Sequence, residues 1–169
     1  VLLNTVLIAF SQLPLPYLKE EIMAERKAKA EWTGSLKDGS GTMSLGSGTF
    51  EGKFSFATRM GDEPGTNPEE LIAAALAGCY SMALNATLEK EGKPAKSVRS
   101  NATVHFGKDD AGFAIKSIDL ETNAEVEGID EKAFLDIAEK VKETCPVSKA
   151  LTGTEIKLNA KLVNAQAAG

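Results

Sequence analysis

Two cysteines are the residues of this 169-residue chain whose type and setting suit covalent chemistry. Cys79 stands inside the run Leu71-Ile-Ala-Ala-Ala-Leu-Ala-Gly-Cys-Tyr-Ser-Met-Ala-Leu84, and Cys145 directly precedes Pro146. Cysteine reacts as the thiolate, so a thiol among Ala and Leu stays inert unless a cation or a helix end lowers its pKa. Arg59, which the alternating pattern puts at the end of a strand shortly before the Cys79 segment, is a candidate for that cation, with no obvious acid beside it. Ala75 and Gly78 leave space beside the sulfur. Free cysteine is also among the most buried residue types, so the residues alone leave two readings open: a redox-active thiol and ordinary core packing.

The spacing excludes several other chemistries. The cysteines lie 66 positions apart, which removes the short paired spacings of zinc knuckles and thioredoxin-like dithiols. His105 is the single histidine, and in Ala102-Thr-Val-His-Phe106 it reads as one residue of an alternating strand. No base is therefore set beside a nucleophile for a hydrolase, and neither a metal site nor a cofactor-binding motif is expected. A net charge of −5 with no basic block argues against a nucleic-acid partner.

The elements that must carry the cysteines can be read from caps and periodicity. Lys27 to about Arg59 reads as a short antiparallel meander, with alternating pieces such as Thr42-Met-Ser-Leu45 and Phe54-Ser-Phe-Ala57 between Gly turns. Asn67-Pro-Glu-Glu70 is a strong helix start: Asn67 as cap, Pro68 at the first helical position, and Glu70 set to complete a capping box. This helix should run to about Glu91, ended by Gly92 and Pro94. It is apolar on all sides from Leu71 to Ala77, which one domain of this size would struggle to cover. Ser97–Phe106 and Phe113–Val126 alternate as strands around a hairpin loop at 108–112. Asp130 caps a second helix whose inward stripe, Phe134, Ile137 or Ala138, and Val141, reaches Cys145. A last alternating strand covers 154–162. The expected class is α+β, antiparallel sheets around two helices, in one domain over 23–169.

Residues 1–22 look foreign to this domain and are expected to be a translated leader or an expression-derived extension. Val1 to Phe10 is apolar but lacks a basic flank, is shorter than a span, and is broken by Pro14 and Pro16; it is neither a convincing signal peptide nor a membrane anchor.

Phe56-Ala-Thr-Arg59, Gly65-Thr-Asn-Pro-Glu-Glu-Leu71 running into Ala77-Gly-Cys-Tyr-Ser-Met-Ala-Leu84, Asp110-Ala-Gly-Phe-Ala-Ile115 and Cys145-Pro-Val-Ser148 together resemble the osmotically inducible protein C and organic hydroperoxide resistance (OsmC/Ohr) family, and within it the OsmC branch. The resemblance spans roughly Trp32 to Val163. It implies a thiol-dependent peroxidase for organic hydroperoxides, acting in oxidative and osmotic stress defence. Cys79 is then the peroxidatic thiolate, Cys145 the thiol that resolves its sulfenic acid to a disulfide, Arg59 the cation that keeps Cys79 ionised, and Glu69 the carboxylate that orients Arg59. It also implies an external dithiol reductant and an obligate homodimer. Elementary geometry bears on the last point: Glu69 and Cys79 are ten residues apart, ~15 Å along one straight helix, so the site needs Arg59 and Glu69 from a second subunit or a strongly bent helix. A peroxidase recycled by thiols needs a reducing pool, which points to the cytoplasm. A redox sensor on the same scaffold is the competing reading.

Overall fold

The computed structural model describes residues 24–163, so the expectation for residues 1–22 lies outside the described residues. Six strands and four helices follow in the order β1 (Ala28–Thr33), β2 (Ser40–Leu45), β3 (Glu51–Ser55), α1 (Phe56–Met60), α2 (Pro68–Lys90), β4 (Ala95–Asp109), β5 (Gly112–Val126), α3 (Glu131–Thr144), α4 (Pro146–Ala150) and β6 (Glu155–Val163). The α+β class and the two long helices agree with the sequence reading. Two further helical turns, α1 and α4, lie beside the site residues.

The first sheet is the expected antiparallel meander β1-β2-β3. Its end differs from the sequence reading: Phe56-Ala-Thr-Arg59 does not continue the strand but turns into α1. The alternation of Phe54 and Phe56 masks a capping box in which Ser55 and Thr58 exchange side-chain and backbone bonds at 3.0 and 2.9 Å. Arg59 consequently sits in the last turn of a helix, not at the end of a strand.

The second sheet has the order β4-β5-β6. β4 and β5 form a long antiparallel hairpin around Asp110-Ala111, with the Asp109 carboxylate accepting from the Ala111 amide at 2.9 Å. β6 corrects the all-antiparallel expectation, because it pairs parallel to β5, Leu120 beside Leu158. The reason is the connection. α3 and α4 carry the chain back from the end of β5 toward its start, and a helical crossover joins strands that run the same way.

The caps of the two long helices are those read from the sequence. Asn67 accepts from the Glu70 amide at 2.8 Å and Asp130 from the Ala133 amide at 2.9 Å. Glu70 does not complete a box; its carboxylate takes the Thr66 hydroxyl instead, at 3.1 Å. Gly92, at φ 71°, supplies the left-handed turn that stops α2.

The core lies between the second sheet and the two long helices. Leu76, Tyr80, Leu84 and Leu88 of α2, Ile118 and Leu120 of β5, and Phe134 and Ala138 of α3 are all 0% exposed. Each large apolar side chain so buried contributes about 1.5–3 kcal/mol. By length and composition α2 could cross a membrane, but its i, i+4 row 76-80-84-88 packs into this core. Its opposite face is open. Ala74, Ala75, Gly78 and Met82 are exposed, Met82 by 76%.

Candidate active site

The two cysteines meet. Cys145 caps the start of α4 at the end of α3, Cys79 lies mid-way along α2, and their sulfurs are 3.2 Å apart as free thiols. Cys145 is fully buried and Cys79 half-buried. A disulfide needs ~2.05 Å between sulfurs, so closing the gap takes a shift of about one ångström.

The contact is held by the elements around it. Tyr80, next to Cys79, donates its buried hydroxyl to the Ala138 carbonyl of α3 at 3.0 Å. Burial raises the Tyr80 pKa far above its ordinary value, so the phenol stays a donor. Ser81, two residues after Cys79, begins a hydroxyl chain through Ser100 to Thr122, at 2.8 and 2.7 Å, that ties α2 to β4 and β5.

The surroundings split the two thiols. Burial raises the Cys79 pKa, the Val147 amide offsets this in part, and the neighbouring Cys145 raises it again. Burial also acts on Cys145, but the Ser148 amide, the Cys79 thiol, the Ser148 side chain and the Val147 amide outweigh it, and its pKa is lowered. Among the described residues no arginine or lysine contributes to either sulfur.

Arg59 and Glu69 form a second cluster. The Arg59 guanidinium grips the Glu69 carboxylate with two nitrogens, Nη2 to Oε1 at 2.6 Å and Nε to Oε2 at 3.1 Å, the bidentate geometry that fixes orientation as well as charge. It also lies 4.5 Å from the centroid of the Phe106 ring, which stacks on Phe113. The connecting loop is tied on both sides: the Thr58 hydroxyl donates to the Thr66 carbonyl at 2.9 Å, and the Thr66 amide donates to the Lys53 carbonyl at 2.9 Å. Gly65 is needed there, since a Cβ would come within 2.6 Å of Thr58 Cγ2.

The structure thus joins Cys79 to Cys145 and Arg59 to Glu69, and does not join the pairs within one chain. Beside Arg59 an apolar groove of about 310 Å³ is lined by Trp32, Phe54, Phe56, Met60 and Phe113. A larger concavity of about 770 Å³ against Glu25–Lys29 contains neither cysteine nor Arg59. His105 sits on an exposed strand face paired with Asp119 at 2.7 Å. Sequence reasoning missed Thr58, Phe106 and the bond of Tyr80; only the capping pattern Ser55-x-x-Thr58 signalled any of them.

Comparison with known proteins decides the lineage. The profile described as OsmC-like protein matches residues 61–161. The chain belongs to the OsmC-like family. It is 45% identical over 138 residues to peroxiredoxin OsmC of Escherichia coli (strain K12), covering 81% of this chain and 96% of that protein. The organic hydroperoxide resistance protein of Xanthomonas axonopodis pv. citri (strain 306) is 32% identical over 90 residues, 53% of this chain and 61% of that one. Among solved structures, the organic hydroperoxide resistance protein OhrB of Bacillus subtilis superposes with a TM-score of 0.63 at 26% identity, covering 80% of this chain and 98% of that chain. The higher identity and coverage on the OsmC side agree with the branch indicated by the sequence motifs.

Proposed function

We propose that this OsmC-like chain is a cysteine-based peroxidase that reduces organic hydroperoxides to alcohols. The observation that carries the reading is the 3.2 Å contact of Cys79 and Cys145 in a partly open, apolar setting. The Cys79 thiolate attacks the terminal peroxide oxygen; the O–O bond breaks, an alkoxide leaves and is protonated to the alcohol, and Cys79 becomes a sulfenic acid. Cys145 attacks that sulfur, hydroxide leaves as water, and a disulfide forms. An external dithiol then reduces the disulfide to two thiols and is itself oxidised to a disulfide. Names of the relatives, one a peroxiredoxin and others organic hydroperoxide resistance proteins, support this substrate class. The aromatic groove beside Arg59 suits an alkyl chain.

Arg59 is the missing cation and reaches Cys79 from a second copy of the chain. Three features support this. Cys79 has a raised pKa and no cation of its own, and Glu69, which holds Arg59, stands nearly three helical turns away by the rise of α2. The apolar outer face of α2 is uncovered. A symmetric homodimer that buries this face forms two composite sites, each with thiols from one protomer and Arg59 and Glu69 from the other. The chain works in a reducing compartment, the cytoplasm, in defence against peroxide stress.

Subunit complementation tests this arrangement. Arg59→Ala and Cys79→Ser chains, each inactive, are unfolded together, refolded and assayed with cumene hydroperoxide and a dithiol. Random pairing restores about a quarter of the wild-type rate if sites are shared between protomers, because half the dimers then hold one complete site of two. No recovery refutes the shared site. Repeated turnover separates a peroxidase from a redox sensor, which reacts once.

A further inference from the structure

The motif Cys145-Pro-Val-Ser148 contains one polar side chain that the reaction as described does not use. Ser148 is 6% exposed, and its hydroxyl is buried with no hydrogen-bond partner among the described residues. Buried hydroxyls are nearly always paired, so an orphan needs a reason. Its position supplies one. Cys145 occupies the cap of α4 and Ser148 the third helical position, the residue whose amide a capping side chain ordinarily serves. Here the capping atom is sulfur, and no side-chain cap bond is formed. A thiol is a weak acceptor, whereas a thiolate is a strong one. Neither the Ser148 amide nor its hydroxyl meets that sulfur in hydrogen-bond geometry while it is a thiol, yet both lie close enough to lower the Cys145 pKa.

We propose that Ser148 is a positioning residue for the resolving half of the cycle, its hydroxyl turning to donate to the Cys145 sulfur whenever that sulfur carries negative charge. The inference rests on the peroxidase reading above. It acts at two steps. In resolution, Cys145 thiolate attacks the Cys79 sulfenic sulfur, the S–S bond forms and hydroxide departs. In recycling, a thiolate of the dithiol attacks Cys79, the more exposed of the two sulfurs, and the electron pair of the broken S–S bond leaves on Cys145. The donor's second thiol then releases Cys79 and takes the oxidation away as its own disulfide. A donor at Cys145 lowers the charge cost of both steps and directs the incoming thiol to Cys79, because the better-stabilised thiolate is the better leaving group.

The experiment separates steps. Single-turnover mixing of wild type, Ser148→Ala and Ser148→Thr with cumene hydroperoxide is read by mass spectrometry for sulfenic acid, disulfide and sulfinic acid. For Ser148→Ala, sulfenic acid formation stays within about twofold, while the pH at which disulfide formation reaches its plateau rises by about one unit. Below that plateau resolution slows by about threefold, since a tenfold loss of thiolate is partly offset by higher intrinsic nucleophilicity. More sulfinic acid accumulates at excess peroxide, and Ser148→Thr restores the wild-type profile. Should Ser148→Ala fold poorly, the near-isosteric pair Ser148→Thr and Ser148→Val makes the same comparison. Independently of peroxide, thiolate absorbance at 240 nm in a Cys79→Ala background titrates Cys145 alone; adding Ser148→Ala must raise its pKa. An unmoved Cys145 titration overturns the role of Ser148. A wild-type chain that forms no sulfenic acid overturns the peroxidase reading instead, and the titration still judges the hydroxyl.

Discussion

Tyr80 donates its buried hydroxyl to the Ala138 carbonyl across 3.0 Å, and this bond pins the residue beside Cys79 to the helix that ends at Cys145. The two thiols sit 66 residues apart in the chain, so their contact depends on how α2 packs on α3. Aliphatic packing alone permits small slides of one helix on another. A directed bond at the crossing fixes the register.

Removing that bond should loosen the thiol pair. Tyr80→Phe keeps the ring and loses the donor, and is expected to lower stability by about 1 kcal/mol, the usual net worth of one such bond. Disulfide formation after peroxide should slow several-fold while sulfenic acid formation is unchanged. Urea unfolding and quenched single-turnover assays check the two effects. An unaltered disulfide rate would show that the helices need no such tie.

Arg59→Ala should leave folding intact, because the side chain is 38% exposed at a helix end, and should slow peroxide consumption by orders of magnitude. Glu69→Gln is expected to have a smaller effect: the guanidinium keeps its charge and its stacking on Phe106 but loses the bidentate clamp. Stopped-flow peroxide reduction, with melting temperatures measured alongside, decides whether the guanidinium has the assigned role. Undiminished turnover in Arg59→Ala removes it.

The open face of α2 predicts its own disruption. Met82→Asp puts a charge on a side chain that is 76% exposed in one chain, where it costs only the helix propensity difference, about 0.5 kcal/mol. In a dimer that buries this face the same charge is strongly destabilising. Sedimentation should show a folded monomer without peroxidase activity. A dimer of full activity would mean that another surface pairs the chains.

The same variant exposes the pH behaviour of the thiol. Burial holds Cys79 above the ordinary thiol value of 9.0 in a single chain, and only the thiolate reacts. Alkylation of Cys79 in Met82→Asp, with Cys145 replaced by serine, should therefore be slow at neutral pH and rise as pH climbs past 9.0. The proposed partner guanidinium at the sulfur would reverse the sign in a dimer, stabilising the anion and moving the alkylation profile to lower pH. Coincident profiles in monomer and dimer would show that no partner cation acts on Cys79.

Gly65→Ala tests the loop that holds the arginine. The added Cβ meets Thr58 Cγ2 at 2.6 Å and the Lys53 carbonyl at 3.0 Å, so α1 must shift and carry Arg59 with it. The expected result is a fall in peroxidase rate of about tenfold, the scale on which small misplacements of a positioned group act, with the Cys79–Cys145 disulfide still forming under a general oxidant such as diamide. Wild-type kinetics would show that the loop tolerates the displacement.

The caps, the two long helices and the hairpin were legible in the sequence because each depends on residues within a few positions of one another: Asn67 with Glu70, Asp130 with Ala133, Asp109 with Ala111. The family resemblance was legible for a related reason, since the cysteine motifs and the Thr-Arg and Asn-Pro-Glu-Glu segments are local strings. What misled was also local. Alternation across Phe54-Ser-Phe-Ala57 reads as a strand until the Ser55–Thr58 exchange is weighed against it, and the same alternation in 154–162 carries no sign of strand direction, which the helical crossover fixes.

Taken alone, the sequence determined which groups are available: two thiols, one cation beside a helix start, one carboxylate on that helix, and an apolar helix too greasy to stand uncovered. Tertiary structure decided which of them touch. The Cys79–Cys145 contact, the Arg59–Glu69 clamp over Phe106 and the orphan hydroxyl of Ser148 depend on helix packing and loop closure between distant segments. Such contacts are set by the fit of whole surfaces, and no short stretch of residues encodes that fit.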